Sequence, residues 1–263
     1  MTIDSIEKSQ IARSFGRAAA SYDSVAHFQR WTADRLLSKI SLNDCRRMID
    51  LGCGTGYSSD KLKERFSSAE YMGVDLSVDM LTYARSQHAA DGQFWLAGDA
   101  ENLPIASSSH DLVFSSLAIQ WCADLPKMFA EVQRILKPGG MFAFSTLIDG
   151  SLFELKEAWH EVDELQHVNE FGSFQEHKRA LDNIAFDVRT FSQEAKVLRY
   201  SSVRELTREL KMLGAHNITA HRPTGMTGKA KLRDFVSAYE AKRVEGGYLP
   251  ATYQVLWGVL VKT

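Results

Sequence analysis

Met48-Ile49-Asp50-Leu51-Gly52-Cys53-Gly54-Thr55-Gly56 is an apolar run that gives way to glycines at alternate positions. The pattern predicts a short buried strand over residues 46–51, a glycine turn, and a helix over 57–66. Gly52, Gly54 and Gly56 let the backbone turn sharply and come closer to a ligand than a side chain would permit. The first N–H groups of the following helix lack intrahelical partners and point at whatever binds there. That is a nucleotide-binding arrangement, and two ligand classes use it. A dinucleotide loop wants G-x-G-x-x-G, with a pyrophosphate on the helix end. Here the spacing is G-x-G-x-G, and Asp50 would repel a pyrophosphate while suiting a cationic amino-acid moiety.

Downstream, residues 70–75 predict a second strand that ends on Asp75, followed by a helix that Ser77 can cap. An acidic residue at the end of this strand sits where a ribose lies, and its two oxygens can accept from the 2′ and 3′ hydroxyls. This spacing is shared with NAD-binding folds, so it points to a ribonucleoside without saying which. Residues 93–97 give a third strand, leading into Gly98-Asp99-Ala100-Glu101-Asn102-Leu103-Pro104. Residues 110–116 give a fourth, whose C-terminal end with Gln120 and Trp121 faces the reacting centre of a doubly wound sheet. A helix over 125–136 stops at Lys137-Pro138-Gly139-Gly140, and residues 141–147 form a fifth strand. Strand-helix repetition of this kind demands a parallel sheet with helices on both faces.

Asp-Leu-Gly-Cys-Gly-Thr-Gly at 50–56 resembles the first motif of the class I methyltransferases, and Gly-Asp-Ala followed by Leu-Pro at 98–104 resembles their adenine motif. The resemblance implies a doubly wound, seven-stranded, Rossmann-like α/β sheet that binds S-adenosylmethionine (SAM), whose ammonium and sulfonium suit Asp50. The expected cofactor set is Phe15, Tyr22, Asp50, Gly52, Cys53, Gly54, Gly56, Asp75, Leu76, Met80, Asp99, Ala100, Glu101 and Ser115. Residues 11–23 are similar to a helix that closes over the cofactor in several small-molecule methyltransferases, with Phe15 and Tyr22 in the pocket wall. An NAD-dependent dehydrogenase is disfavoured by Asp50, the glycine spacing and the Asp99 motif.

The chain has 263 residues, 44% of them hydrophobic, and a formal net charge of −2, which fits a soluble globular protein with no global bias toward nucleic acid. Three scattered cysteines argue against a disulfide scaffold and fit a reducing cytoplasm. Residues 1–10 do not look like a signal peptide, and no apolar run approaches the ~20 residues needed to cross a bilayer. Oligomeric state is not legible.

The chain divides into a helical flap (1–42), a cofactor-binding core (43–149), a lid insertion after strand five (150–200) and a completing segment (201–263). The flap holds a helix over 5–20, a break at Ser21-Tyr22-Asp23 and a second helix over 25–40. The insertion is expected to hold a helix over 152–166 and a strand pair over 186–200. His160 and His167 with Asp163 and Glu164 read as a solvated helix face, so no metal is assigned. A helix over 201–213 and strands at 216–220 and 253–261 then finish the sheet.

Residues 11–23, Ser116-Leu-Ala-Ile-Gln-Trp-Cys122, residues 146–155 and Leu210-Lys211-Met-Leu-Gly214-Ala together resemble the malonyl-carrier-protein O-methyltransferases of biotin biosynthesis. The resemblance runs from about residue 8 to the C-terminus. It implies methyl transfer from SAM to the free carboxylate of a malonyl thioester on acyl carrier protein or coenzyme A. Such a carboxylate is already ionised at neutral pH, so no general base is required. Arg17, Tyr22, Gln120, Trp121 and Lys211 are the substrate-positioning candidates. The cations among residues 196–243 suit an acidic carrier protein. A methyltransferase for another small molecule, such as a quinone precursor, and a non-catalytic SAM-binding regulator remain as alternatives.

Overall fold

The computed structural model describes residues 8–215 and 228–263. Helices α1 (Lys8–Val25) and α2 (His27–Leu37) lead into β1 (Arg47–Leu51), α3 (Tyr57–Arg65), β2 (Glu70–Asp75), α4 (Val78–His88) and β3 (Gln93–Ala97). The chain then crosses to β4 (His110–Ser116), α5 (Leu125–Ile135), β5 (Leu136–Leu147), α6 (Phe153–His160) and α7 (Phe174–Arg179). It closes with β6 (Phe186–Tyr200), α8 (Val203–Met212), α9 (Lys229–Glu240) and β7 (Leu249–Lys262).

These strands make one seven-stranded sheet of order β3-β2-β1-β4-β5-β7-β6. β1 to β5 pair in parallel, and β7 runs antiparallel to both β5 and β6. The middles of the central strands are apolar at successive positions, as at Met48-Ile49 and Leu112-Val113-Phe114, because both faces are covered. Met48, Leu112 and Met141 pack into one core, while their neighbours Ile49, Val113 and Phe142 pack into the other. Strand order reverses between β1 and β4, and a crevice opens at their C-terminal ends, where an open α/β sheet binds its ligand.

Local chemistry explains the element boundaries. Ser77 caps α4 by accepting from the Met80 N–H, and Asp124 caps α5 by accepting from the Lys127 N–H. Lys137 to Gly140 do not end the strand but loop out of it: His110 pairs with Leu136 and Leu112 with Met141, so β5 gains residues that β4 lacks.

Three expectations fail. Ser21-Tyr22-Asp23 does not break the first helix, because the Ser21 hydroxyl bonds the carbonyls of Ala18 and Met212 at 3.1 Å each, tying α1 to α8. Residues 186–200 are not a strand pair over the crevice but the single edge strand β6, paired with β7 along its length. The register shift between Val188 and Thr190 is a bulge, which breaks the alternation in the way a turn would. The helix after β5 ends at His160, so residues 161–166 are irregular. The strand expected at 216–220 lies outside the described residues. Among the described residues no helix is long and apolar enough to cross a membrane.

Candidate active site

The crevice holds a cavity of about 830 Å³ between α1 and the ends of β1, β2 and β4. Gly52 and Gly54 of the loop line it, and a Cβ at Gly52 would lie 2.2 Å from that of Ala118. Gly52 also sits at φ +74°, a conformation that L side chains rarely adopt. Asp75, Leu76 and Met80 enter from β2 and α4, and Asp99, Ala100 and Glu101 from the loop after β3. Phe15 and Tyr22 enter from α1, with Lys8 and Ile11, which the sequence reading left out. Residues 8, 11, 15 and 22 share one helix face, so the signal was there in the spacing.

Asp75 accepts from the N–H groups of Gly54 at 2.9 Å and Ser77 at 2.8 Å, which fixes its carboxylate at the cavity wall. Each oxygen keeps a second lone pair for a hydroxyl. Burial raises its pKa, against the pull of the Ser77, Gly54 and Leu76 N–H groups. Asp99 forms an ion pair with Lys8 at 2.7 Å. Glu101 is buried, pairs with Lys8 at 2.9 Å and accepts from the Ala123 N–H at 2.7 Å, so its carboxylate ties the loop after β3 to the loop after β4.

Asp50 is only 2% exposed and accepts from the Tyr71 hydroxyl at 3.1 Å. Burial pushes its pKa up to about 7, against the lowering effect of that bond, and the charge of Asp75 adds to the rise. Asp50 and Cys53 face a smaller cavity of about 460 Å³ that continues from the first and is also lined by Gln29, Arg30 and Thr55. No motif in the sequence marked Gln29 or Arg30, because they come from α2, well ahead of the glycine loop.

A further cavity of about 1000 Å³ lies under α6 and α8. Gln120 and Trp121 line it, as do Leu152, Leu155 and Trp159 of the segment after β5 and Thr207, Leu210 and Leu213 around α8. Trp121 packs edge-on to Phe15 with ring centres 5.3 Å apart. The Gln120 amide donates to the Leu117 carbonyl at 2.8 Å and accepts from Thr146 at 3.2 Å, which holds Leu117 at φ +52°.

Four expected residues take other places. Ser115 is fully buried and donates to the Leu51 carbonyl at 2.8 Å; alternation along β4 puts Ser116 at the cavity instead. Gly56 is the N-cap of α3 and packs against His88, Trp95 and Ala84, away from the cavities. Arg17 and Lys211 are exposed and line none of the three cavities. Arg17 lies two residues past Phe15, on the far side of α1, and Lys211 is one residue off the face of α8 that carries Thr207 and Leu210. His167 is also not on a solvated helix face: its ring stacks on Trp159 at 3.8 Å and lines the cavity under α6 and α8.

Residues 49–144 match the family described as "Methyltransferase domain". A malonyl-[acyl-carrier protein] O-methyltransferase of Hahella chejuensis is 42% identical over 95% of this chain and 89% of its own length. That of Pectobacterium atrosepticum is 38% identical over the full length of both. The chain belongs to the malonyl-[acyl-carrier protein] O-methyltransferase family. It also aligns at 45% identity with the biotin biosynthesis bifunctional protein BioHC of Cellvibrio japonicus, over 98% of this chain and only 51% of that longer protein. The fold of this methyltransferase is shared with YcgJ of Bacillus subtilis (TM-score 0.62, 17% identity, 89% of this chain and 98% of that one). It is also that of the geranyl diphosphate C-methyltransferase of Streptomyces coelicolor (TM-score 0.54, 16% identity, 89% and 79%).

Proposed function

We propose that the chain transfers a methyl group from SAM to the free carboxylate of a malonyl thioester carried on acyl carrier protein, a step of biotin synthesis. The observation that carries this reading is the position of Tyr22, which lines all three cavities. Adenosine fits the first, with its ribose on Asp75 and its amine on Asp99. The methionine end fits the second, with its ammonium on Asp50. The acyl arm fits the third. Tyr22 stands where a sulfonium and a substrate oxygen must meet, and SAM supplies the methyl at that point.

The protein's own contribution is placement and dryness. Phe15, Leu117 and Trp121, shared by the first and third cavities, form a wall that strips water from the attacking carboxylate. A hydrated carboxylate is a poor nucleophile, and bringing anion to sulfonium annihilates charge, so a dry site favours the transition state. Alignment of oxygen, methyl carbon and sulfur is worth ~7 kcal/mol or more. Burial and the charges of Asp75 and Asp23 hold the Tyr22 hydroxyl protonated, so it donates a hydrogen bond and takes no proton. Incubation with SAM and malonyl-acyl carrier protein, followed by intact mass of the carrier, should show one added methyl; an unchanged mass would reject the reading.

Asp50 makes cofactor binding pH-dependent. In the free protein its acid is half ionised near pH 7, and only the anion pairs with an ammonium. SAM affinity should therefore be flat above pH 7 and fall as pH drops below it, because binding must then expel a proton. Tyr71→Phe removes the bond that lowers this pKa, so calorimetry should place its midpoint above that of the wild type.

The carrier docks on α8. Its exposed Arg204, Arg208 and Lys211 flank the residues that line the acyl cavity. Several other cations of the segment are already paired, Lys231 with Asp163 and Lys242 with Glu157 at 2.7 Å each; Arg222 lies outside the described residues. Arg204→Glu with Arg208→Glu should raise KM for malonyl-carrier protein at least ~10-fold and leave KM for malonyl-pantetheine within about twofold. The wild-type KM for the carrier should climb with ionic strength, while that for SAM hardly moves.

A further inference from the structure

A malonyl carboxylate entering the cavity under α6 and α8 is a charge leaving water. Burying an unpaired carboxylate is prohibitive, so the wall must offer a cation or converging donors. Among the described residues that line this cavity there is no lysine or arginine. One lining side chain can carry positive charge: His167.

Its surroundings are built. Asp163 Oδ1 lies 2.7 Å from His167 Nε2, and the two side chains are only 13% and 10% exposed. Asp163 is held in turn by Lys231 Nζ at 2.7 Å and by the Leu165 N–H at 3.1 Å. The imidazole lies flat on Trp159, interplanar angle 10°, and Trp159 lies flat on Phe235 at 4.1 Å. The ring therefore cannot tilt, and its Nε2 is committed to Asp163. Nδ1 is left, with no hydrogen-bond partner among the described residues.

We propose that His167 is the substrate-recognition residue of this methyltransferase, its imidazolium donating from Nδ1 to the malonyl carboxylate oxygen that does not attack. The role rests on the reading of the substrate as a malonyl thioester. No proton moves in this step: the carboxylate arrives ionised and leaves as a neutral ester, which the imidazolium holds less well than the anion. Recognition and product release thus use one contact.

The test crosses a change in the protein with a change in the ligand. With S-adenosylhomocysteine saturating, malonyl-pantetheine and acetyl-pantetheine are titrated into wild type, His167→Phe and Asp163→Asn by calorimetry. Phenylalanine keeps the flat stack on Trp159 and removes both nitrogens. Asparagine keeps the shape at 163 and removes the carboxylate that holds Nε2 of the ring. Wild type should bind the malonyl compound roughly 10- to 100-fold more tightly than the acetyl one, the scale of a charge-assisted hydrogen bond. His167→Phe should erase that preference while changing acetyl-pantetheine affinity less than about threefold, and Asp163→Asn should reduce it. In turnover, KM for the malonyl substrate should rise with KM for SAM unchanged. Equal losses for both ligands would make His167 a packing residue and overturn the proposal. A preference retained in His167→Phe would overturn it while leaving the malonyl reading standing. Absence of any preference in wild type would reject the malonyl reading itself, and the role of His167 with it.

Discussion

Asp75→Ala should weaken SAM binding by roughly 30- to 700-fold, because two charge-assisted hydrogen bonds to the ribose together contribute about 2–4 kcal/mol. The carboxylate is positioned for this by the N–H groups of Gly54 and Ser77, which meet its oxygens on the protein side. Those same bonds hold the glycine loop, so alanine alone would conflate a lost ligand contact with a loosened loop. Asp75→Asn separates them: it keeps the shape and one acceptor oxygen and should lose an intermediate amount. Calorimetry with S-adenosylhomocysteine reports the affinities, and thermal unfolding of the ligand-free variants reports the loop. Unchanged affinity in Asp75→Ala would remove the ribose from β2.

Tyr22→Ala should lower the single-turnover rate about 10- to 1,000-fold with both substrates saturating, since it opens the junction of the three cavities and lets the reacting atoms drift. Gln120→Ala should act in the same direction by releasing Leu117, whose backbone it holds. Neither variant should create a new pH limb, because the nucleophile arrives as an anion and no residue takes a proton from it. Rate at saturation should stay nearly flat between about pH 6 and 8 for wild type and variants alike. The acidic fall expected from Asp50 belongs to SAM affinity and disappears once the cofactor is bound. A new limb in Tyr22→Ala would mean that the phenol, and not the cavity, sets the chemistry.

The cofactor side was legible because its physics is local. A strand, a glycine turn and a helix lie in one stretch of chain, and the acidic strand ends at Asp75 and the loop acid at Asp99 follow at spacings that the crossovers dictate. The sheet order follows from that repetition. The substrate side was not legible, because its cavity is assembled from segments far apart in sequence: Gln120 after β4, Trp159 after β5, Thr207 on α8. Arg17 and Lys211 were chosen for charge, and charge on a surface helix says nothing about which way it faces. His167 reads in the sequence as part of a solvated helix face, but the helix ends at His160 and the ring lies on Trp159. The edge strand β6 was misread because a bulge at 188–190 imitates the break between two shorter strands.

The central claim is that the methyl group goes to a carboxylate oxygen held in the cavity under α6 and α8. The direct measurement is a single turnover of SAM with malonyl-pantetheine, the product fragmented to locate the methyl, with acetyl-pantetheine run alongside. The predicted result is a methyl ester on the terminal malonyl carboxylate and no product from the acetyl thioester, which has no oxygen nucleophile. A methyl on the carbon between the two carbonyls, or transfer to the acetyl compound, would contradict the account.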